Sequence, residues 1–335
     1  MHILSIRTGI RNHNKTKYYT TIEMADLHPD TKTVLITGCT PGGIGHALCI
    51  EFQNRGLRVI ATARNVDVLK DLATQGMKTL PLDVTSAESI ATCHEAVGKL
   101  TGGRLDILVN NAGRTHTHPA LDLDMNDVRQ TFETNVFGVM AMVSAFGDHL
   151  IAAKGLVINV ASLAAQTPYV FGSAYCASKG AVTSYSRTLR MELKPFGVGV
   201  MVAMAGTVKS NIASRGHRTL PEGSVYQPIR DIFEKRLVFS QTQASVSTEA
   251  FAAALVGRAL AREVPWFMRA WLGRPDWFWF GGMASTLWWA TAFTGEWLVD
   301  YVCWNMFGLD RLRQIVEQKA LVQGSSDEDG KAKTH

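Results

Sequence analysis

Four side chains in the middle of this chain can, by type and spacing, move a proton. Tyr175 and Lys179 stand four residues apart in a stretch with helical patterning, so both lie on one helix face. Ser162 closes an apolar run upstream, and Asn135 lies in an earlier helical stretch. A tyrosine is a poor acid or base near neutrality, because its unperturbed pKa is about 10. An ammonium group one turn away favours the phenolate and draws that pKa down. A serine hydroxyl aimed at the same oxygen donates a hydrogen bond to developing negative charge. The set suits an oxygen that gains charge and then a proton, as a carbonyl oxygen does when its carbon accepts a hydride. Each residue alone is ordinary, since a Tyr/Lys pair at this spacing usually decorates a surface. Their joint occurrence, each after the right kind of segment, carries the reading.

A second cluster could hold an anion. Thr37-Gly38-Cys39-Thr40-Pro41-Gly42-Gly43-Ile44-Gly45 leaves the apolar run VLIT at 34–37 and opens a helical stretch. Glycines let backbone N–H groups approach a pyrophosphate, and the helix N-terminus favours its charge. A glycine turn alone would serve any tight strand-to-helix connection; the strand before it and the helix after it give the dinucleotide context. The next apolar run exits as Ala63-Arg64, with no acid before Asp67. A carboxylate there would select a free ribose 2′-hydroxyl, whereas a guanidinium pairs with a 2′-phosphate, so the expected cofactor is NADP(H). Taken alone, Arg64 also reads as a solvated surface arginine.

These groups need a scaffold, and the chain alternates strand, turn and helix. Strands are expected at 34–37, 57–62, 77–84, 105–113, 155–162 and 198–206. Helices are expected at about 46–55, 87–100 (capped by Ser86), 126–149 and 172–194 (stopped by Pro195). This order predicts an α/β fold: a single domain built on a doubly wound parallel Rossmann sheet, with an aromatic C-terminal extension. Ligands in such sheets sit beyond the carboxyl ends of the strands, which is where the groups above fall.

With those motifs in place, the chain resembles the classical short-chain dehydrogenase/reductase family across about residues 33–265. The matching elements are Gly38…Gly43-Ile44-Gly45, Asp83-Val84, Asn110-Asn111-Ala112-Gly113, Asn135-Val136-Phe137-Gly138, Ser162 and Tyr175-Cys176-Ala177-Ser178-Lys179. The resemblance implies that Asn135, Ser162, Tyr175 and Lys179 are catalytic. It implies cofactor contacts from Gly38, Thr40, Gly43, Ile44, Gly45 and Arg64, with Asp83 and Val84 at the adenine and Asn111 lining the cleft. Asn135 would hold a water that relays protons to Lys179, and Lys179 would grip the nicotinamide ribose. Thr207 and Val208 would touch the nicotinamide amide. Two departures stand out: one extra residue between Gly38 and Gly43, and Ala205-Gly206 where the family has proline-glycine. Ala61-Thr62-Ala63-Arg64, the Gly-Gly-Ile-Gly loop and Phe307-Gly308-Leu309 are similar to the fungal 1-acyl-dihydroxyacetone-phosphate reductase branch. Its relatives include retinoid and steroid reductases and tailoring ketoreductases of fungal secondary metabolism. The expectation is an NADP(H)-dependent oxidoreductase of a lipophilic carbonyl or alcohol. The rival is a silent NADP(H)-binding sensor or scaffold, which would be expected to lack a member of the Asn135/Ser162/Tyr175/Lys179 set.

Composition bounds the rest. A net charge of +5 over 335 residues does not argue for nucleic acid. Five cysteines, none at CxxC spacing, fit a reduced compartment and no structural metal; His116 and His118 read as loop residues for want of a third ligand. Residues 1–30 read as a disordered basic extension, 31–265 as the Rossmann domain with a lid at about 207–240, and 313–335 as a polar flexible end. The lid carries Lys209, Arg215, Arg218, Arg230, Lys235 and Arg236 against three acids, which suits either an acidic substrate or a solvated surface. All eight tryptophans fall between Trp266 and Trp304, and Trp277–Gly295 is uncharged. Residues 266–312 therefore read as a segment lying in a membrane interface through about 266–309, with Arg262, Arg269 and Arg274 near anionic lipid. The alternative is a tail packed on its own domain or on a second copy, closing a greasy pocket. The expected setting is the cytoplasmic face of a membrane, at the endoplasmic reticulum or a lipid droplet, or the cytoplasm; a homodimer is left open.

Overall fold

Val34-Leu35-Ile36 and Leu156–Ala161 are buried without alternation, which requires a sheet covered on both faces. The computed structural model describes residues 31–210, 218–242, 246–284, 287, 289 and 293–319. Its main sheet comprises β1 (Thr33–Ile36), β2 (Arg58–Ala63), β3 (Lys78–Pro81), β4 (Ile107–Asn110), β5 (Leu156–Ser162), β6 (Gly199–Ala205) and a strand from the C-terminal region. A separate short pair joins β7 (Val208–Lys209) to β8 (Val246–Ser247), so the C-terminal strand is β9 (Trp277–Phe280). The main-sheet order is β3-β2-β1-β4-β5-β6-β9, and every pairing is parallel. The order reverses between β1 and β4, and the crevice opens there at the carboxyl ends.

Alternate side chains of each strand feed opposite layers. Val34 and Ile36 join Leu48, Phe52, Phe251 and Leu255 from helices Ile44–Asn54 and Thr248–Ala259. Leu35 joins Val97, Met142 and Leu189 from helices Ala87–Thr101, Gly138–Ala145 and Ser173–Leu193. Ser86 caps its helix as expected, accepting from the Ser89 N–H at 3.2 Å.

Three expectations are corrected. The single helix expected at 126–149 is broken into Met125–Phe132, a π-turn at Glu133–Phe137, Gly138–Ala145 and, after a bend at Phe146, Gly147–Ala153. Gly138 lies against Val84, where a Cβ would come within 2.8 Å of a Val84 methyl, and the widened turn before it turns Asn135 inward.

The division at 265 falls inside the sheet. β9 pairs with β6 from Val202↔Trp277 to Ala205↔Phe280, so part of the expected tail is core. Phe278 packs edge-on against Phe251 at 5.9 Å, and Trp277 stacks with Trp279 on the other face at 6.5 Å. Arg190 and Arg269 pair with Asp276 at 3.1 and 3.3 Å, pinning the start of the strand, and Arg274 pairs with Glu263. Arg269 and Arg274 are thus each paired with an acid of the protein. Leu287, Val299, Cys303 and Phe307 then pack on Ala161, Val202 and Met204.

Finally, residues 309–319 are helical where a flexible end was expected from 313. Leu312 packs beside Phe233, and Arg311 pairs with Asp231 at 3.0 Å. Residues 1–30, 211–217 with Arg215, and 320–335 lie outside the described residues.

Candidate active site

The glycine loop is held from beneath. Thr37 Oγ1 accepts from the N–H groups of Asn111 (3.0 Å) and Ala112 (2.9 Å). Asn111 Nδ2 donates to the carbonyls of Thr37 (2.8 Å) and Gly38 (3.0 Å). Gly38 has φ +73°, and a Cβ there would lie 2.8 Å from the Ala112 Cα, so only glycine fits. Asn111 thus spends its amide on shaping the loop. Gly45 faces Asn111 rather than the cavity, leaving no room for a side chain. The helix Ile44–Asn54 begins at Gly43 with no side-chain cap, so its first N–H groups are free of one beside the loop.

A cavity of about 1030 Å³ runs from this loop across the carboxyl ends of the strands. Gly38, Thr40, Gly43, Ile44, Arg64, Asp83, Val84, Asn111, Thr207 and Val208 line it, together with Ser162, Tyr175 and Lys179. Arg64 is exposed at the wall beside Asp83. Asp83 accepts from the Thr85 N–H (2.9 Å) and hydroxyl (2.7 Å). Burial works to raise its pKa, but these bonds and the Arg64 charge outweigh it and hold the carboxyl below its ordinary value. The loop, the uncapped helix and an exposed guanidinium beyond β2 fit a dinucleotide with a phosphate on its adenosine ribose. Thr207 bridges to Gly282 in antiparallel fashion, so the exit of β6 is fixed by the exit of β9. Gly206 crosses so close to Gly281 and Gly282 that a side chain would strike their backbone; this accounts for the glycine in Ala205-Gly206.

The proton-moving residues converge. Ser162 ends β5, Tyr175 and Lys179 share the inner face of helix Ser173–Leu193, and the Ser162 side chain is near enough to the Tyr175 phenol to lower its pKa. Lys179 is buried and donates to the Val160 carbonyl at 2.9 Å; its Nζ stands 5.9 Å from the Tyr175 ring centre. The expected depression of Tyr175 by Lys179 is corrected. Burial dominates and pushes the phenol up to about 12, against the Ser162 side chain that lowers it. Burial likewise pulls Lys179 down to about 8. Asn135 does not reach the cavity wall. Its Oδ1 accepts from the Arg114 N–H (2.8 Å), and its Nδ2 donates to the Arg114 carbonyl (3.0 Å) and Ser178 Oγ (3.0 Å), tying the 113–115 loop to the helix of Tyr175.

The far end of the cavity is lined by Tyr169, Arg236, Phe239, Leu287, Cys303, Met306 and Phe307. The sequence reading missed Tyr169, although the aromatic run Tyr169-Val170-Phe171 just before the helix of Tyr175 was a signal for it. Of the lid cations, Arg218 and Arg236 reach the cavity, while Lys209, Arg230 and Lys235 are exposed. His116 is buried with its Nε2 3.1 Å from Asp127, which also pairs with Arg114 and Arg218. Burial, reinforced by Arg218, pulls His116 down to about 4, so it is neutral at pH 7.

A parallel sheet with a glycine loop after β1 and a serine, tyrosine and lysine at its carboxyl edge defines a dinucleotide-dependent oxidoreductase. The comparisons narrow the class: the chain belongs to the short chain dehydrogenase family, whose model matches residues 32–220. It is 38% identical over 294 residues to the short-chain dehydrogenase fogD of Aspergillus ruber, covering 88% of this chain and 99% of that one. It is 43% identical over 265 residues to the NADPH-dependent 1-acyldihydroxyacetone phosphate reductase of Schizosaccharomyces pombe, covering 76% and 87%. Among solved structures it resembles a short-chain dehydrogenase from Streptomyces avermitilis, with a TM-score of 0.66, 26% identity, and coverage of 88% and 99%.

Proposed function

We propose that this protein is an NADPH-dependent ketoreductase of a lipophilic ketone of the acyl-dihydroxyacetone-phosphate type. The observation that carries this reading is one continuous cavity. It joins the glycine loop and Arg64 to Ser162, Tyr175 and Lys179, and then to an aromatic chamber walled by residues after 280. The Schizosaccharomyces relative supports both the cofactor and the substrate class. When bound, NADPH supplies the hydride that a carbonyl carbon accepts. Tyr175 gives its phenolic proton to the carbonyl oxygen, and its raised pKa keeps that proton in place near neutrality. Ser162 orients the same oxygen by hydrogen bonding. Lys179 holds positive charge behind the pair, and Asn135 locks the neighbouring loop. The apolar chain of the substrate lies along Tyr169, Phe239, Leu287 and Phe307. The protein works at the cytoplasmic face of a membrane, or in the cytoplasm, a reading supported by exposed aromatic residues beyond β9.

The test is a panel of acyl-dihydroxyacetone phosphate, retinal and a polyketide ketone, each with NADPH and with NADH, followed at 340 nm. Turnover of the first with NADPH is expected. Turnover of the polyketide ketone alone would move the function to secondary metabolism, and a preference for NADH would overturn the cofactor.

A further inference from the structure

Arg236 is a buried guanidinium that has no carboxylate partner among the described residues. It projects from the lid helix Arg230–Leu237, is 7% exposed, and lines the cavity. Its Nε donates to the Val170 carbonyl at 3.2 Å, and its guanidinium carbon lies 3.3 Å from the centre of the Tyr169 ring. Among the described residues no aspartate or glutamate pairs with it, and residues 211–217 and 243–245, which flank the lid helix, contain none. The other lid arginine that reaches the cavity differs: Arg218 shares Asp127 at 3.4 Å and donates to the Thr115 carbonyl at 3.0 Å. A buried charge of this kind is costly unless something neutralises it, and an aromatic face with one carbonyl does so only in part. Arg236 is near enough to Tyr175 for its charge to act on the phenol. Phe239 and Phe307 pack with Tyr169 at 5.9 and 5.7 Å, so the cation sits at the rim of an aromatic chamber.

Building on the reading of the cavity as a ketone site, we infer that Arg236 is the specificity residue for an acidic group on the substrate, a phosphate or a carboxylate carried on a lipid ketone. The planar fork of arginine suits either anion through paired N–H donors. The rest of the lipid lies on the neighbouring aromatic rings. A merely structural Arg236, stitching the lid to Tyr169 and Val170, would serve charged and neutral ketones alike.

The experiment compares matched pairs: acyl-dihydroxyacetone phosphate against acyl-dihydroxyacetone, and a long-chain keto acid against its methyl ester. The readout is the ratio of kcat/KM within each pair, using the full chain with NADPH. Wild type is expected to favour the charged member by about 10- to 100-fold, the worth of a hydrogen-bonded charge pair. Arg236→Gln should collapse the ratio toward one, and Arg236→Lys should keep part of it. A preference in the phosphate pair alone names the phosphate as the acidic group; one in the carboxylate pair alone names the carboxylate. A wild-type ratio near one in both pairs overturns the inference, as does a ratio that survives Arg236→Gln. Loss of both members together in Arg236→Gln, ratio intact, assigns a structural role and also overturns it. If wild type reduces neither member, the ketone reading fails on its own. Calorimetric binding of lysophosphatidate and monoacylglycerol to the NADP+-loaded protein then decides the inference: preference for the phosphate, lost in Arg236→Gln, supports it, and equal binding overturns it.

Discussion

Burial pulls Tyr175 and Lys179 in opposite directions, and each shift has a measurable consequence. Tyr175, raised to about 12, keeps its proton across neutral pH and is a donor rather than a base there. Tyr175→Phe removes that proton, so kcat should fall by at least about 100-fold while NADPH binding, followed by fluorescence titration, stays in place. Wild-type turnover in that variant would remove Tyr175 from the mechanism. Lys179 is lowered from 10.5 to about 8, so between those values the unfolded chain holds more protons than the folded one. Its contribution to stability is therefore present above pH 10.5 and is lost as pH falls through 8. Tyr175, shifted upward from 10, adds no slope below pH 10. Thermal unfolding of wild type and Lys179→Met should thus show the Tm difference moving in favour of wild type from pH 7 to pH 10. An unchanged difference would contradict a depressed Lys179. At the other end of the cavity, Arg64→Ala should weaken NADPH binding by about 1.5–3 kcal/mol and leave NADH nearly unaffected. Equal loss for both cofactors would return Arg64 to the solvated surface.

Among the elements, β1, β2, β4, β5 and β6 were legible because each is a short, largely apolar run closed by a turn, and the groups of the site follow those runs directly. β9 was not. Trp277-Phe278-Trp279-Phe280 is apolar on both faces, so no alternation marks it as a strand, and its tryptophans suggested a lipid interface. Asp276 before it and Gly281-Gly282 after it were the available boundary signals. Their meaning depends on Arg190 and Gly206, which are distant in sequence. The π-turn holding Asn135 was hidden for a related reason: it adjoins the close packing of Gly138 on Val84, a tertiary contact. The charge of the lid was visible, but not which cations face inward. If β9 is core, Phe278→Ala should cost about 3–5 kcal/mol, as large-to-small changes at buried aromatics do. That loss should lower Tm by on the order of 10 °C. A change of a degree or two would mean that the strand is only laid against the sheet edge.

At the scale of the whole molecule, the C-terminal region has two apolar sides, and one is already used. In helix Trp297–Met306, Val299 and Cys303 turn inward with Phe307 just beyond the helix, closing the cavity and covering β5 and β6. On the other side Trp297, Tyr301 and Trp304 recur at helical spacing and are 65%, 62% and 38% exposed. Phe293 and Trp289, 75% and 55% exposed, stack on each other earlier in the same region. Among the described residues no single helix is long and apolar enough to cross a membrane. A stripe of tryptophan and tyrosine on a short helix instead matches the headgroup level, where a ring is apolar and its polar edge stays wet. Such a placement would let a lipid ketone pass from the bilayer toward the aromatic chamber without crossing water. Because β9 belongs to the same C-terminal region, deleting the region would remove a strand of the sheet, and surface substitutions are the cleaner probe. Full-length protein is expected to float with phosphatidylcholine vesicles in a density gradient. Trp297→Ser, Tyr301→Ser and Trp304→Ser combined should leave it at the bottom with Tm little changed. Since Arg269 and Arg274 are occupied by Asp276 and Glu263, adding phosphatidylserine should strengthen flotation only slightly, and moderate salt should not abolish it. A wild-type chain that stays monodisperse in the high-speed supernatant without detergent, and ignores the vesicles, would remove the membrane from this picture and leave the patch to a second copy of the chain.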